Sequence, residues 1–275
     1  MTMMAKTTLT TRERLHALLH ELNFKGMARV LDAELDRAES DGVPPAEVVQ
    51  RLLAEQASFQ RERALHNRIA RANLPWQWTI DTFPFKQQPG VNKAQILALA
   101  GLDFVRRAEN LVLIGNTGTG KTGIALGLLR QACVNGWRGR FYNAQTLLDE
   151  LYASLADRST TRLLTALSRT QPLCIDELGY LNLKSEQVNA FFRLMDQRYG
   201  RVSTIITTNL DYPAWYALFD NKPLVDALLD RLQHHCITIR IDGPSLRAST
   251  TGDAPAPPTS AQQAKRGHTP EPTAQ

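Results

Sequence analysis

The sequence has little of what several classes of protein require. Its 275 residues include only three cysteines, Cys133, Cys174 and Cys236, which are scattered and lack the spacing of a metal site. This argues against a disulfide-stabilised secreted scaffold and favours a reducing compartment. No apolar run approaches the roughly 18 residues of a membrane-spanning helix, and no apolar stretch follows the first residues as in a signal peptide. We therefore expect a cytoplasmic protein that does not bind membranes.

What the chain does contain is ordinary for a globular protein. Hydrophobic residues make up 43% and charged residues 21% of the sequence. The net charge of +5 permits nucleic-acid binding but does not establish it. From about residue 249 onward the chain is rich in Thr, Ala, Pro, Ser and Gln and has almost no large apolar residues. Such a segment cannot bury enough surface to fold, so we expect residues 249–275 to be a disordered tail.

The middle of the sequence carries a phosphate-binding pattern. Four apolar residues, 111–114, predict a short buried strand, and residues 115–122 then match G-x-x-x-x-G-K-[ST] without a mismatch. An apolar helical pattern follows, which supplies the strand–loop–helix context of a phosphate loop. The residues of this predicted phosphate loop are Gly115, Asn116, Thr117, Gly118, Thr119, Gly120, Lys121 and Thr122.

The residue types of the phosphate loop suit a nucleoside triphosphate. The glycines allow backbone conformations in which consecutive N–H groups turn inward. Those donors, together with the positive end of the following helix, cradle the phosphates. Lys121 adds a positive charge, and the hydroxyl of Thr122 is placed to ligate Mg²⁺. A glycine-rich turn with a chance lysine would not need the strand and helix on either side. We therefore expect ATP and Mg²⁺ to bind here.

A second motif supplies the acids that an ATPase needs. The apolar stretch of residues 173–175 predicts a strand that ends in Asp176 and Glu177. Asp176 could hold Mg²⁺ through water, and Glu177 could orient and deprotonate the attacking water. An Asp-Glu pair after an apolar run is common by itself, but its combination with the phosphate loop argues against coincidence.

A third strand, predicted over residues 203–207, leads to Asn209. An amide at the tip of a strand beside the phosphate-loop strand could hydrogen-bond the γ-phosphate or the attacking water. The alternative is an ordinary strand-end asparagine in a turn. Given the other motifs, we favour the first interpretation, in which Asn209 senses the nucleotide.

The order of predicted elements divides the chain. Residues 1–75 show apolar residues at helical spacing and predict a helical domain, whereas in residues 76–248 strands and helices alternate as in a three-layer α/β sandwich. Basic residues outnumber acidic ones in residues 61–71. They form either a solvated helical face or a surface for DNA phosphates or a partner protein. In the segment that joins the domains, Phe83 and Phe85 either pack between the domains or cover the adenine. Residues 91–107 predict one helix.

In these motifs, residues 10–248 resemble the IstB-type transposition helper ATPases of bacterial insertion sequences. The sequence from Asp176 to residue 181, Asp-Glu-Leu-Gly-Tyr-Leu, is specific to this group and to the related DnaC-type helicase loaders. The segments that carry the resemblance are residues 115–122, 173–183, 203–210, 229–235 and 243–247.

The resemblance implies an AAA+ ATPase of the initiator/DnaC-like clade. Its core would be a three-layer P-loop NTPase fold with a parallel sheet, preceded by a small all-helical N-terminal domain and without a C-terminal lid. It would bind duplex DNA cooperatively with ATP, self-associate into oligomers, contact a transposase and promote strand transfer. By motif position, the resemblance implies that Lys121 and Thr122 take the phosphate-loop roles. Asp176 would bind the metal and Glu177 would act on the attacking water. Asn209 would be the sensor residue, and Arg231 would be the arginine finger.

Some features leave alternatives open. Gly123 stands where members often have His, and Asn182 where Pro is usual; Gly123 could loosen the start of the helix. Arg231 could be half of a surface pair with Asp230 instead of a finger that reaches a neighbour's γ-phosphate. A DnaC-like helicase loader would share the same core and differ in its N-terminal domain. A scaffold without turnover is disfavoured by the acid pair Asp176 and Glu177, and a small-molecule kinase by the lack of an acceptor site.

Overall fold

The computed structural model describes residues 9–179 and 181–247. The chain divides into two compact units, Met1–Arg71 and Ala72–Gln275, and this division falls slightly before the boundary predicted at residue 75. The predicted tail, 249–275, lies outside the described residues. Among the helices of the described part, none combines the length and the hydropathy needed to cross a membrane.

The first unit consists of helices, which are α1 (Thr11–Glu21), α2 (Lys25–Asp41) and α3 (Pro45–Arg71). Local signals set their ends. Thr10 and Glu13 form a capping box before α1, and Gly42 ends α2 in the left-handed conformation. Apolar residues from all three helices form a small core, whose buried members are Leu19, Leu31, Val48 and Leu52.

The start of α2 receives its cap from α3. Phe24 precedes α2 and offers no side-chain cap. Instead, the Oε1 atom of Gln56 accepts hydrogen bonds from the backbone N–H groups of Gly26 and Met27 at 2.8 and 3.2 Å. Gln56 is 6% exposed, so a buried amide satisfies helix-end donors that would otherwise lack partners.

The second unit alternates strands and helices. Its strands are β1 (Asn110–Gly115), β2 (Arg140–Asn143), β3 (Leu173–Asp176), β4 (Thr204–Thr208) and β5 (Cys236–Ile241). Its helices are α4 (Lys93–Ala100), α5 (Asp103–Arg106), α6 (Lys121–Val134), α7 (Ala144–Ala156), α8 (Thr160–Ser168), α9 (Ser185–Arg198), α10 (Trp215–Phe219) and α11 (Lys222–His234), with a 3₁₀ turn at Tyr212–Ala214.

All strand pairs of the sheet are parallel, in the order β2-β3-β4-β1-β5. Alternate residues of a strand feed two separate apolar clusters, one on each face. On β1, Leu111 and Leu113 belong to one cluster and Val112 and Ile114 to the other. The predicted three-layer α/β core with a parallel sheet is therefore confirmed.

The prediction of a single helix over residues 91–107 is wrong. This range contains two short helices, α4 and α5, because the chain leaves helical geometry between them. Leu102 has a left-handed φ of 64° and lies 1% exposed in the core. The apolar pattern on both sides of Leu102 continues, so periodicity alone did not reveal the break.

The sheet order gathers the predicted motifs at one edge. Because the strands are parallel, their carboxyl ends meet on the same side. The phosphate loop follows β1, Asp176 ends β3, and Asn209 follows β4, which lies between them. Three motifs that are far apart in the sequence thus converge.

Candidate nucleotide-binding site

The phosphate loop has the backbone that its glycines permit. Gly118 and Gly120 have φ values of 86° and 91°, which side chains rarely adopt. The hydroxyl of Thr119 donates to the carbonyl of Asn116 at 2.9 Å and closes the turn. Helix α6 then starts at Lys121, with its N-terminal N–H groups at the loop. The arrangement is a concave set of donors that suits an anion.

Lys121 lies across this loop. Its Nζ donates to the carbonyl oxygens of Gly115 and Asn116 at 2.7 and 2.8 Å. Partial burial lowers the pKa of Lys121, the nearby charges of Asp176 and Glu177 act in the opposite direction, and the charge of Arg247 adds to the lowering. Arg247 therefore lies within electrostatic reach of the loop, which the motif pattern had not indicated.

Thr122 and Asp176 are in direct contact. The hydroxyl of Thr122 donates to Oδ1 and Oδ2 of Asp176 at 2.9 and 3.2 Å. Burial raises the pKa of Asp176, and the hydrogen bonds from Thr207 and Thr122 oppose that rise. A hydroxyl and a carboxylate are oxygen ligands, which suit Mg²⁺ held by few protein groups and by phosphates. Within the described ranges there is no cluster of three or more His, Cys, Asp or Glu side chains that could hold a metal alone.

Glu177 is exposed, next to the buried Asp176. Its Oε2 accepts a hydrogen bond from Nδ2 of Asn143 at 3.1 Å. Asn143 ends β2 and also caps α7, since its Oδ1 accepts from the N–H of Gln145 at 3.0 Å. No sequence motif had marked Asn143 as a functional residue. The signal available was a polar residue that ends a strand directly before a helix, but only the register pairs Asn143 with Asp176 on β3.

Thr207 of β4 contacts both acids. Its hydroxyl donates to Oδ1 of Asp176 at 2.5 Å and accepts from the backbone N–H of Glu177 at 3.0 Å. Thr207 is fully buried. In the sequence it was only the last residue of a predicted strand, and neither a motif nor the resemblance assigned it a role.

The segment after the last strand packs on the phosphate loop. The N–H of Leu246 donates to the carbonyl of Gly118 at 2.9 Å. The Nε2 of the buried Gln88 donates to the carbonyl oxygens of Thr119 and Pro244 at 3.2 and 2.8 Å. Residues 243–247, which the resemblance had singled out without a role, thus belong to the wall of the loop.

The aromatic residues before α4 also contact the loop. Phe83 is 4% exposed, and a Cβ built at Gly120 would lie 2.8 Å from its ring. Phe85 packs edge-on against Phe83, with ring centroids 4.8 Å apart. The Nζ of Lys93 lies over the Phe85 ring, 5.6 Å from its centroid. Phe83 therefore lies against the phosphate loop and Phe85 lies against Phe83, while adenine contact remains a prediction.

At Gly123, the space that a side chain would occupy is filled by a residue from outside the helix. A Cβ at Gly123 would lie 3.2 Å from the indole of Trp78. The ring of Trp78 occupies the space of a side chain, so Gly123 is buried at the first turn of α6.

Asn209 and Arg231 differ in their surroundings. The Oδ1 of Asn209 lies beside Gly179, 2.4 Å from where a Cβ would stand, which places the amide next to the chain that follows Glu177. Arg231 forms an ion pair with Asp196 at 2.7 Å. Its guanidinium also lies over the ring of Tyr199 at 5.6 Å. These contacts hold Arg231 against α9. In the phosphate loop, by contrast, Thr122 contacts Asp176 of the acid pair directly.

Comparisons with known sequences agree on one family. Residues 17–254 match the sequence profile of the IstB-like ATP binding proteins. An insertion sequence IS21 ATP-binding protein of Pseudomonas aeruginosa is 34% identical over 233 residues, which cover 85% of this chain and 88% of that protein. An IS5376 ATP-binding protein of Geobacillus stearothermophilus is 31% identical over 236 residues, or 86% and 94% of the two chains.

Solved structures agree on the fold. The crystal structure of the DnaC helicase loader matches with a TM-score of 0.52 and 23% identity, covering 60% of this chain and 97% of that chain. The replication initiator DnaA, bound to AMPPCP and single-stranded DNA, matches with a TM-score of 0.51 and 16% identity, covering 62% and 51%. At these identities the likeness concerns the fold.

Proposed function

The chain belongs to the family of IstB-like ATP-binding proteins, and we propose that it hydrolyses ATP to control its assembly on target DNA, where it assists the transposase of an insertion sequence. The observation that carries the proposal is the contact of Thr122 with Asp176 at 2.9 Å, with Glu177 exposed beside it. The relatives named as insertion sequence ATP-binding proteins supply the biological context.

In the proposed mechanism, the triphosphate binds to the N–H groups of the phosphate loop and at the start of α6. Lys121 then exchanges its bonds to Gly115 and Asn116 for the phosphate oxygens, since the carbonyls already direct its Nζ across the loop. Thr122 and Asp176 would hold Mg²⁺, which when bound offsets negative charge on the phosphates.

Glu177 takes the proton from the attacking water. It is exposed at the end of β3 and therefore able to reach a water molecule next to the γ-phosphate. The Nδ2 of Asn143 donates to the carboxylate of Glu177 at 3.1 Å and so orients the side chain of the base. Asn209 contacts the γ-phosphate or the water from the neighbouring strand β4.

Arg231 completes the site of a neighbouring subunit. Its side chain is 35% exposed and its partner Asp196 is 60% exposed, so the pair lies at the surface, where an ion pair contributes little, about 0–1 kcal/mol. Such a pair can be exchanged for a phosphate of another subunit. The consequence is an active site shared between subunits, which turns over only in the assembled oligomer.

The helical first unit contacts DNA and the partner protein. Along α3, which is described throughout, the last buried residue is Gln56, and the following turns carry Arg61, Arg63 and Arg71 exposed to solvent. An unburied basic stretch of helix is suited to DNA phosphates, with an affinity that falls as salt rises.

The test is ATP turnover of the full chain with and without duplex DNA, together with sedimentation of the protein–DNA assembly in the presence of ATP. We expect DNA to stimulate turnover and ATP to promote assembly, and we expect both to be lost in Lys121→Ala. A protein that hydrolyses ATP but binds duplex DNA equally with and without nucleotide would contradict the proposal. If it also held a replicative helicase, the helicase-loader interpretation would replace it.

A further inference from the structure

We infer that Thr207 is a positioning residue of the hydrolytic site: its side chain and backbone hold Asp176 and Glu177 in one arrangement relative to each other. This inference rests on the proposed ATP hydrolysis. It concerns a strand residue that no motif marks and that lies on β4, the strand between the phosphate-loop strand and the strand of the acids.

Thr207 forms hydrogen bonds with three consecutive residues. Its hydroxyl donates to Oδ1 of Asp176 at 2.5 Å and accepts from the N–H of Glu177 at 3.0 Å. Its carbonyl accepts from the N–H of Leu178 at 2.9 Å. A threonine hydroxyl has one donor and two acceptor sites, so the single donor is committed to the metal-binding carboxylate and one acceptor site to the backbone of the base.

The backbone of Glu177 explains why such a hold is needed. Its φ of 60° is left-handed, a conformation that non-glycine residues adopt only when the surroundings stabilise it. The backbone N–H of Glu177 and that of the next residue, Leu178, both donate hydrogen bonds to Thr207. Thr207 therefore stabilises the turn that directs the side chain of Glu177 out of the sheet while Asp176 stays buried.

The role of Thr207 also differs from that of Thr122. Both hydroxyls donate to Asp176. Thr122 belongs to the phosphate loop and, in the proposed nucleotide complex, would also hold Mg²⁺, so its removal would disturb phosphate and metal binding together. Thr207 is a strand residue outside that loop, and its bond to Oδ1 orients the carboxylate of Asp176 from the sheet side.

The experiment compares Thr207→Val, which keeps shape and removes the hydroxyl, with Thr207→Ser, which keeps the hydroxyl. The matched control is Thr204→Val on the same strand. Thr204 is also fully buried, and its hydroxyl accepts from Nε of Arg198 at 2.9 Å, so that variant loses a buried hydrogen bond away from the acids. For each full-length variant we would measure DNA-stimulated kcat and KM, thermal unfolding, and the affinity for a non-hydrolysable ATP analogue with Mg²⁺ and with EDTA.

For Thr207→Val we expect kcat to fall roughly 30–100-fold, as for other small misplacements of reacting groups, and the gain in analogue affinity from Mg²⁺ to shrink. Affinity in EDTA should stay unchanged, because the phosphate loop is intact. Thr207→Ser should recover most of both, and Thr204→Val should keep both even where its Tm falls. A serine variant as impaired as the valine variant would overturn the inference.

The inference is also overturned if Thr207→Val retains the wild-type kcat and Mg²⁺-dependent gain, or changes no more than Thr204→Val at an equal loss of Tm. If wild type itself shows no hydrolysis, the proposed function fails, while the Mg²⁺-dependent affinities still decide whether Thr207 orients Asp176. Should Thr207→Val not fold, Thr207→Cys, which is similar in size and a weaker donor, takes its place with the same expected order of effects.

Discussion

Replacement of Glu177 by Gln separates catalysis from binding and stability. The amide has the same shape but cannot take a proton, so a step that depends on a general base should slow by about 10²–10⁴-fold. That corresponds to roughly 3–5 kcal/mol in the activation barrier. Nucleotide affinity should stay close to wild type, because the phosphate loop, Lys121 and the Thr122–Asp176 contact remain.

The structure also predicts that the fold tolerates this change. Glu177 is exposed, and its side chain accepts a hydrogen bond from Nδ2 of Asn143. The amide oxygen of Gln can accept the same bond, and the backbone bond to Thr207 does not involve the side chain. The free energy of unfolding should therefore change by no more than about 0.5 kcal/mol, as for other surface substitutions.

The assay is phosphate release in the presence of duplex DNA, with analogue binding and thermal unfolding measured on the same preparation. Because the proposed assembly on DNA follows the ATP state, Glu177→Gln should also remain on DNA longer than wild type. Glu186→Gln, which removes an exposed carboxylate from the first turn of α9, is the control and should turn over normally. If Glu177→Gln hydrolyses ATP at the wild-type rate, Glu177 is not the base and the proposed mechanism is refuted.

Further expectations concern the loop, the finger, the cap and the first unit. Lys121→Ala should lower the affinity for a fluorescent ATP analogue, and unchanged binding by a folded variant would contradict the assignment. Arg231→Ala should bind ATP but lose DNA-stimulated turnover by about 10³-fold. Mixing Arg231→Ala with Lys121→Ala protein should restore part of the rate, provided that the two variants are shown to co-assemble. No recovery at any mixing ratio would count against action of Arg231 on a neighbouring subunit. Asn143→Asp keeps the cap of α7 but places a like charge beside Glu177, so turnover should fall without loss of Tm, whereas unchanged turnover would make Asn143 only a cap. Removal of residues 1–71, which keeps the bond from Phe141 to the carbonyl of Ala72, should leave ATP binding intact and weaken assembly on DNA; normal assembly and transposase recruitment would show the unit to be dispensable.

What the sequence by itself determined are the features that depend on neighbours in the chain. The strand, loop and helix around residues 115–122 were predicted because contiguous residues mark each of them, and the structure has β1 (Asn110–Gly115) before the loop and α6 (Lys121–Val134) after it. The end of β3 at Asp176 was predicted for the same reason, since the acids come at the end of an apolar run. The roles assigned to the side chains of the loop and of the acid pair stay predictions.

Only the tertiary structure decided which residues surround those motifs. Asn143 meets Glu177 across 34 positions, and Gln88 meets Pro244 across 156. These contacts follow from the parallel sheet order, which places β4 between β1 and β3 and so brings Thr207 to the acids. Periodicity and spacing describe one element at a time, because a helix or strand repeats its own geometry. The order in which strands pair depends on how the faces of all elements are buried together, and that is a property of the whole core.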